Sequence, residues 1–172
     1  FKALDKLRKH LNSKTLNIGL VPTMGGLHKG HLSLVEKACS ENDIVVVSIY
    51  INPTQFNDQN DLKKYPFDLA TDKAFLSPFS KNVVIYNPDH TEIYPTGIKS
   101  NSYDFGSIAL HMEGRFRPGH FDGVATVIEK LIKNIKPNNA YFGEKDYQQI
   151  QVIKALNKSL ELGVKLISCS TV

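Results

Sequence analysis

The sequence predicts an α/β fold in which helices cover both faces of a parallel β-sheet. Short apolar segments alternate about five times with segments of helical periodicity, an order that is typical of parallel sheets. One of these segments, Ile44–Ile49, contains consecutive β-branched residues without polar alternation, as expected for a strand covered on both faces. The length of 172 residues fits one compact domain. Leu, Ile, Val and Phe make up about three tenths of it, enough for a packed core.

The first part of the chain predicts two strands with a helix between them. Residues 17–21 are apolar and bounded by polar residues, which indicates a strand, and Pro22 with the glycines that follow indicates a loop. From His31 onward the apolar residues recur with helical spacing. The buried strand Ile44–Ile49 comes next, and an Asn-Pro pair ends it.

The middle of the chain is harder to interpret. Residues 62–75 have the pattern of a helix with a break at Pro66, and Val83–Tyr86 indicates a further buried strand. Residues 88–110 show no clear periodicity. We expect one short strand there, at residues 103–105.

The last part of the chain predicts two helices and two strands. His120–Ile135 carries an apolar stripe with helical spacing, and a short strand is expected at residues 140–142. Asp146 is a candidate N-cap for the last helix, whose apolar stripe extends to Leu160. Residues 164–167 predict the final strand.

Composition and charge argue against several classes of protein. No apolar run approaches the roughly 20 residues of a membrane span, and no basic-then-apolar leader opens the sequence. The net charge of +4 suits an anionic ligand. A basic patch with interleaved aromatic residues is missing and there is no Trp, so we do not expect nucleic acid as a partner. Cys39 and Cys169 lack metal-ligand spacing and indicate a reduced, cytoplasmic protein.

Three polar segments follow predicted strands and therefore belong at the carboxyl edge of the sheet, where ligands bind in such folds. The first, residues 22–31, contains His28, Gly30 and His31. A helix that starts near Gly30 offers N–H groups and a positive dipole end to an anion. Two histidines three residues apart can both donate to one phosphate group. Alternatively, they only cap a surface turn, or they bind a metal, although the loop has no acidic third ligand.

The second and third segments carry amides and a lysine. Asn52 and Gln55 can each donate to and accept from a hydroxyl or carboxylate group, although the segment could also be an ordinary Asn-Pro turn. Lys145 is a mobile charge suited to phosphate, and Asp146 could accept from ribose hydroxyl groups. Gln149 lies one helical turn beyond Lys145, on the same face. The alternative for this third segment is a charged helix start with an acidic cap.

A fourth segment, residues 113–121, packs two arginines and a histidine around turn residues and forms either an anion-facing loop or a solvated basic loop. The residues from His28 to His31 also resemble the HxGH signature of the nucleotidylyltransferase superfamily. Taken together and in this order, the four segments resemble the pantothenate synthetase (pantoate–β-alanine ligase) family. The strings that carry the resemblance, within residues 21–153, are VPTMGGLHKGHLSLV, SIYINPTQF, EGRFRPGHFDGVATVIEKL and AYFGEKDYQQIQVI.

The resemblance implies a Rossmann-like, doubly wound N-terminal domain over residues 1–172 and an ATP-dependent ligase. Such an enzyme condenses pantoate with β-alanine to give pantothenate, AMP and pyrophosphate through a pantoyl adenylate, and Mg²⁺ accompanies the triphosphate. The resemblance also implies a homodimer, with no membrane or nucleic-acid partner. The family's leading strand and small C-terminal domain are expected to lie outside this sequence.

Two other classes of function are alternatives to the ligase. A related nucleotidyltransferase would move AMP or CMP to a phosphate acceptor, which requires more Lys and Arg than Gln55 and Gln149 provide. A nucleic-acid-binding module is the third hypothesis, and it lacks the expected basic patch.

Carried over position by position, the resemblance implies roles for individual residues. The expected catalytic residues are His31, His28 and Lys145. The expected pantoate contacts are Gln55, Gln149 and Met24. Less central family positions are matched by Asn52, Tyr65, Glu113, Arg117 and His120. The expected ATP-binding residues are Met24, Gly25, Gly26, Leu27, His28, Lys29, Gly30, His31, Gly143, Glu144, Lys145 and Asp146.

Four positions depart from the family's commoner residues. Lys29 stands between the two histidines, where Asp or Glu is usual, and adds positive charge beside the expected phosphates. The others are Gly26, Thr54 and Phe67, and none of the four has a central role.

Overall fold

The sheet has five parallel strands in the order β3-β2-β1-β4-β5, which confirms the predicted fold class. The computed structural model describes residues 1–11 and 16–170; the other positions of the domain predicted over residues 1–172 lie outside the described residues. The strands are β1 (Ile18–Thr23), β2 (Ile44–Ile49), β3 (Val83–Tyr86), β4 (Asn139–Gly143) and β5 (Lys165–Cys169).

Helices cover both faces of the sheet, so the domain is doubly wound. Their bounds are α1 (Leu4–Leu11), α2 (Lys29–Glu41), α3 (Gln59–Lys64), α4 (Leu69–Leu76), α5 (His90–Ile93), α6 (Glu113–Phe116), α7 (His120–Ile135) and α8 (Tyr147–Ser159). Helices α1, α7 and α8 build one apolar core against the sheet, and α2 and α4 build the second core on the opposite face. No helix among the described residues has both the length and the apolar character needed to cross a membrane.

The strand order fixes where a ligand can bind. Strand β1 lies between β2 and β4, so the chain moves outward in one direction through β2 and β3 and in the other through β4 and β5. Ligands of such sheets bind beyond the carboxyl ends of the strands at this reversal point. The loops that leave β1 and β4 are the two that meet there.

Strand β1 extends two residues further than the sequence predicts, through Pro22 to Thr23. The carbonyl oxygen of Thr23 accepts from the N–H of Tyr50 at 3.1 Å, so Thr23 faces β2. Consecutive residues of a strand direct their backbone groups to opposite sides, and Pro22 therefore faces β4. The last residue of β1 that pairs with β4 is Leu20, so no ladder bond requires the N–H that proline lacks.

The short strand predicted at residues 103–105 is wrong. The N–H of Tyr103 donates to Oδ1 of Asp122 in α7 at 3.1 Å, so a side chain takes the backbone donor that a strand would use. The tyrosine ring stacks on Phe105 with 5.6 Å between centroids. This segment is held by side-chain contacts to α7 without joining the sheet.

The observed helices differ in detail from those predicted from the sequence. The helix predicted over residues 62–75 is interrupted at Pro66, as expected, and forms the separate helices α3 and α4. Helix α8 ends at Ser159, and Leu160, predicted to lie on its apolar stripe, is 37% exposed. Asp146 occupies the N-cap position of α8, but its side chain makes no capping hydrogen bond.

Candidate active site

The loop after β1 is anchored by a buried carboxylate from helix α4. Asp72 of α4 is 2% exposed, and its two oxygens accept from the N–H groups of Gly26 and Leu27 at 3.1 and 2.8 Å. Gly25 has a φ of +86°, and a Cβ there would lie 2.8 Å from Asp72 Oδ2. The loop therefore requires glycine at this position, both for its backbone conformation and for the close approach of the carboxylate.

His28 and His31 share the first turn of α2. His28 is the N-cap residue and its Nδ1 accepts from the N–H of Gly30 at 3.1 Å. In return, Nδ1 of His31 accepts from the N–H of His28 at 3.3 Å. The ring centroids are 4.1 Å apart. Because each neutral ring uses Nδ1 as an acceptor, its proton is on Nε2, and both histidines offer an Nε2–H donor.

Burial keeps His31 neutral at physiological pH. Desolvation, the largest cause, and the neighbouring His28 both lower the pKa of His31, Asp72 partly opposes them, and the net result is a pKa of about 4. A neutral Nε2–H can donate to a phosphoryl oxygen without first repelling the second histidine. The pair thus provides two preorganised donors at the positive end of a helix, the arrangement that stabilises charge growing on an oxyanion.

Two adjoining cavities open at the carboxyl edge of the sheet, on either side of His31. We name them the inner cavity, of about 240 Å³, and the outer cavity, of about 300 Å³. The residues that line both are Pro22, His31, Phe142, Asp146 and Gln149. A ligand in one cavity is therefore separated from a ligand in the other only by this shared wall.

The inner cavity combines an apolar wall with amide side chains. Helix α7 contributes the wall, and the polar groups come from the loops after β1 and β2 and from α8. Neither Lys nor Arg lines it. The size and lining suit a small ligand that carries both apolar and hydrogen-bonding groups. The wall residues are Val124, Val127, Ile128 and Leu131, and the residues with polar groups include Thr23, Asn52, Gln55 and Gln149.

The outer cavity is lined by several groups that can bind an anion. It is lined by both histidines, by Gly30 at the start of α2, and by Lys145 in the 3₁₀ turn after β4. Gly143 and Asp146 complete its edge. A helix N-terminus, two N–H donors and a lysine together fit a polyanion.

The structure brings together most, but not all, of the residues predicted from the sequence. Met24, Gln55 and Gln149 line the inner cavity, and the expected catalytic residues line the outer one. The predicted ATP contacts that line neither cavity are Gly25, Gly26, Leu27, Lys29 and Glu144. Of these, Leu27 is buried in the second core, whereas Lys29 and Glu144 are exposed.

Residues 113–121, the fourth polar segment of the sequence, contact the backbone of Gln55. His120 is 4% exposed, and its Nδ1 lies 2.8 Å from the carbonyl oxygen of Gln55. Arg117 donates to the same carbonyl at 3.4 Å and pairs with Glu113. Burial lowers the pKa of His120, and its bond to the carbonyl opposes this shift. None of the three lines the two cavities, so these residues hold the loop that carries Gln55.

Sequence reasoning missed two residues of this site, Asp72 and Tyr94. Asp72 occupies an apolar-stripe position of α4, three residues after Leu69 and four before Leu76, and a charged residue on such a stripe was an available signal. Tyr94 contacts Asn52 through its hydroxyl group. It comes from the segment that shows no clear periodicity in the sequence, so no pattern pointed to it.

Within residues 1–11 and 16–170, no three His, Cys, Asp or Glu side chains come together closely enough to hold a metal ion.

Fold and site together define the class of doubly wound α/β domains with a candidate anion site at the reversal point of the sheet. Comparison with known proteins assigns the chain within that class. Residues 1–172 match the pantoate-beta-alanine ligase family, and the chain belongs to this family.

Two curated relatives of the chain carry the name pantothenate synthetase. It is 48% identical over 170 residues to pantothenate synthetase of Francisella tularensis subsp. novicida, covering 99% of this chain and 64% of the relative. It is 46% identical over 152 residues to pantothenate synthetase of Flavobacterium psychrophilum, covering 88% and 54%.

Among crystal structures, Francisella tularensis pantoate-beta-alanine ligase complexed with beta-gamma ATP and beta-alanine gives a TM-score of 0.94 at 46% identity. That match covers the whole of this chain and 66% of that one. Pantothenate synthetase from Thermus thermophilus gives a TM-score of 0.92 at 41% identity, and that match covers 100% of this chain and 61% of that one. The chain thus spans between about half and two thirds of the length of these proteins.

Proposed function

We propose that the protein to which this chain belongs condenses pantoate with β-alanine at the expense of ATP, giving pantothenate, AMP and pyrophosphate through a pantoyl adenylate. The observation that carries the proposal is the pair of adjoining cavities with His31 and Gln149 in their shared wall. One cavity fits a small acid and the other a polyphosphate. A reaction between a carboxylate and a phosphorus atom needs both ligands side by side in this way.

In the first step, the carboxylate of pantoate in the inner cavity attacks the α-phosphorus of ATP in the outer cavity. A bond forms between a carboxylate oxygen and the α-phosphorus. The bond from the α-phosphorus to the oxygen that bridges it to the β-phosphorus breaks, and pyrophosphate leaves. Negative charge grows on the phosphoryl oxygens, where the Nε2–H groups of His28 and His31 and the ammonium group of Lys145 can stabilise it. Mg²⁺ enters as part of the substrate, bound to the triphosphate.

In the second step, the neutral amine of β-alanine attacks the acyl carbon of the adenylate, the bond from that carbon to the bridging oxygen breaks, AMP leaves with this oxygen, and the surplus amine proton passes to water. A free carboxylate is a poor acyl donor because its leaving group would be an oxide, whereas AMP is a good leaving group. The adenylate is also prone to hydrolysis, so exclusion of water during this step increases the yield of amide. A small C-terminal domain that closes the outer cavity belongs to the proposal.

The inner cavity favours the ligase over a nucleotidyltransferase that uses a phosphate acceptor. Such an acceptor carries two negative charges and is commonly held by Arg or Lys. The inner cavity has neither, and offers amide groups and an apolar wall instead. A cytoplasmic location and a homodimer of the full-length protein belong to the proposal as well, and they rest on family membership.

Exchange of radiolabelled pyrophosphate into ATP tests the proposal with the full-length protein. Because the adenylate forms before β-alanine reacts, exchange should require pantoate and proceed without β-alanine. β-Alanine alone is the control and should support no exchange. Exchange that is absent with pantoate but present with a phosphate-bearing acceptor would replace the ligase by the nucleotidyltransferase.

A further inference from the structure

We propose that Tyr94 is a positioning residue which, through Asn52, makes Gln55 a hydrogen-bond donor towards the acid in the inner cavity. The inference rests on the proposed function for the identity of that acid. Tyr94 is buried and does not line the inner cavity. Its effect on a ligand must therefore pass through another residue.

Asn52 is the centre of the arrangement. Its side chain is fully buried, and both ends of its amide group are occupied. Nδ2 donates to Oε1 of Gln55 at 3.1 Å and to the carbonyl oxygen of Gly123 at 3.0 Å. Oδ1 accepts from the hydroxyl of Tyr94 at 2.7 Å and from that of Thr54 at 3.1 Å.

These four contacts admit only one orientation of the Asn52 amide. The carbonyl oxygen of Gly123 can only accept, so the group that faces it must be the NH₂. The Tyr94 hydroxyl lies at the other end, 2.7 Å from Oδ1, and provides the shortest of the four contacts. Rotating the amide by 180° would leave the Gly123 carbonyl facing an oxygen, with both groups buried, which is costly.

The orientation of Asn52 determines that of Gln55. Since Oε1 of Gln55 already accepts from Asn52, its NH₂ is the end of the amide that remains for a ligand in the inner cavity. An NH₂ group donates, and a carboxylate accepts. Gln55 therefore selects an anionic or acceptor oxygen in the acid, and a protonated amine or another donor group is disfavoured at this point.

Two neighbours hold the hydroxyl of Tyr94 in place. Lys130 of α7 lies over the tyrosine ring, with Nζ 5.3 Å from the centroid. Thr54 Oγ1 lies 3.1 Å from the hydroxyl oxygen. Thr54 has a single proton to share between Asn52 and Tyr94, so it cannot fully replace the tyrosine as a donor.

Kinetics of Tyr94→Phe in the full-length protein test the inference. Losing the donor leaves a buried amide oxygen poorly paired, and we expect the KM for pantoate to rise about tenfold while kcat and the KM for ATP change little. Tyr103→Phe is the matched control: its hydroxyl bonds to Glu129, away from the cavities, and the KM for pantoate should stay at the wild-type value.

Two further variants separate positioning from a general loss of structure. In a Gln55→Ala background, Tyr94→Phe should have no additional effect on the KM for pantoate, because the proposed route to the ligand through the Gln55 amide is gone. Asn52→Asp should turn the Gln55 side-chain amide around. The new carboxylate at position 52 accepts from the Gln55 NH₂, and Oε1 of Gln55 then faces the acid in the inner cavity. That variant should bind pantoate more weakly than Asn52→Ala. Additive effects in the first case, or tighter binding in the second, would contradict the inference.

A spectroscopic measurement decides the inference even if pantoate is not the substrate. In protein labelled with ¹⁵N-glutamine, the side-chain NH₂ resonances of Gln55 should shift in Tyr94→Phe and remain unchanged in Tyr103→Phe. If the wild-type protein shows no pantoate-dependent exchange, the proposed function fails and the spectrum still supports or overturns the hydrogen-bond path. Unchanged Gln55 resonances in Tyr94→Phe would overturn it.

Discussion

His28 and His31 cap the first turn of α2 reciprocally. Nδ1 of His28 accepts from the N–H of Gly30, and Nδ1 of His31 accepts from the N–H of His28. The spacing of three residues is what makes this possible, since it places an N-cap residue and the third helical residue within reach of each other. The result is two rings of fixed tautomer, with His31 in the wall between the two cavities and His28 in the lining of the outer cavity. The three-residue spacing of the two histidines therefore has a structural role, in addition to the chemical role proposed for their Nε2–H groups.

Substitutions at His31 should separate its capping role from its chemical role. An asparagine oxygen lies near the position of Nδ1 and can still accept from His28, but nothing replaces Nε2–H. We expect His31→Asn to unfold at nearly the wild-type denaturant concentration and to lose roughly 100-fold or more in kcat. His31→Ala should lose a similar rate and, in addition, about 1 kcal/mol of stability. Equal stability losses in the two variants would contradict the capping role.

Removing the Asp72 carboxylate should destabilise the loop after β1. Asp72→Ala leaves the N–H groups of Gly26 and Leu27 without their partner, and we expect the free energy of unfolding to fall by roughly 3 kcal/mol. The control is Asp68→Ala, which removes an exposed N-cap carboxylate from the same helix and should cost about 1 kcal/mol. Urea unfolding of both variants gives the comparison; similar losses would show that the loop does not depend on Asp72.

Gln149→Ala should weaken pantoate binding more than it slows turnover. The amide lines both cavities, and a group that contacts substrate and transition state equally affects KM without affecting kcat. We expect a KM for pantoate about tenfold higher, measured against Gln151→Ala, two residues further along α8 and outside both cavities. A variant that loses kcat with an unchanged KM would assign Gln149 to the chemical step.

The stability of the domain should fall as the pH falls from about 6.5 to about 4. The ordinary histidine pKa is 6.5, and burial lowers that of His31 to about 4. Between these values the unfolded chain binds a proton that the native chain does not, so the free energy of unfolding decreases with decreasing pH. The lowered pKa of His120 acts in the same direction.

Carboxylates whose pKa is lowered, such as Glu41 and Glu129, also make the free energy of unfolding depend on pH, but they decrease it only below pH 4.5. His31→Asn should therefore flatten the profile between pH 6.5 and 4 and leave the acid limb unchanged. Denaturant unfolding at a series of closely spaced pH values measures this. A wild-type profile that is flat over this window would show that His31 titrates normally in the native protein.

The sheet could be predicted from the sequence because its central strands β1, β2 and β4 are buried on both faces. Consecutive β-branched residues in β2 and β3 have few alternatives to a covered strand, and the alternation with helices then requires parallel pairing. The region between Pro88 and Leu110 could not be predicted, because side-chain contacts such as that of Asp122 to the Tyr103 backbone hold it in place. Such contacts leave no periodic pattern.

The site was predictable to the extent that it lies on loops at one edge of the sheet. Strand order brings the segments after β1, β2 and β4 together, so Gln55 and Gln149 could be expected near the histidines. The sequence did not indicate which other residues hold these loops in place. Asp72 and Tyr94 act across distances of 42 to 46 positions in the chain, and only the fold shows that they meet the loops they hold.

Oxygen-18 in the carboxylate of pantoate gives the sharpest test of the proposed transfer of AMP to that carboxylate. If the full-length protein forms a pantoyl adenylate, the oxygen that bridges the acyl carbon and phosphorus comes from pantoate and leaves with AMP when β-alanine attacks. Mass spectrometry should then find one oxygen-18 atom in each AMP released. Label that appears only in pantothenate and water, with none in AMP, would contradict the account.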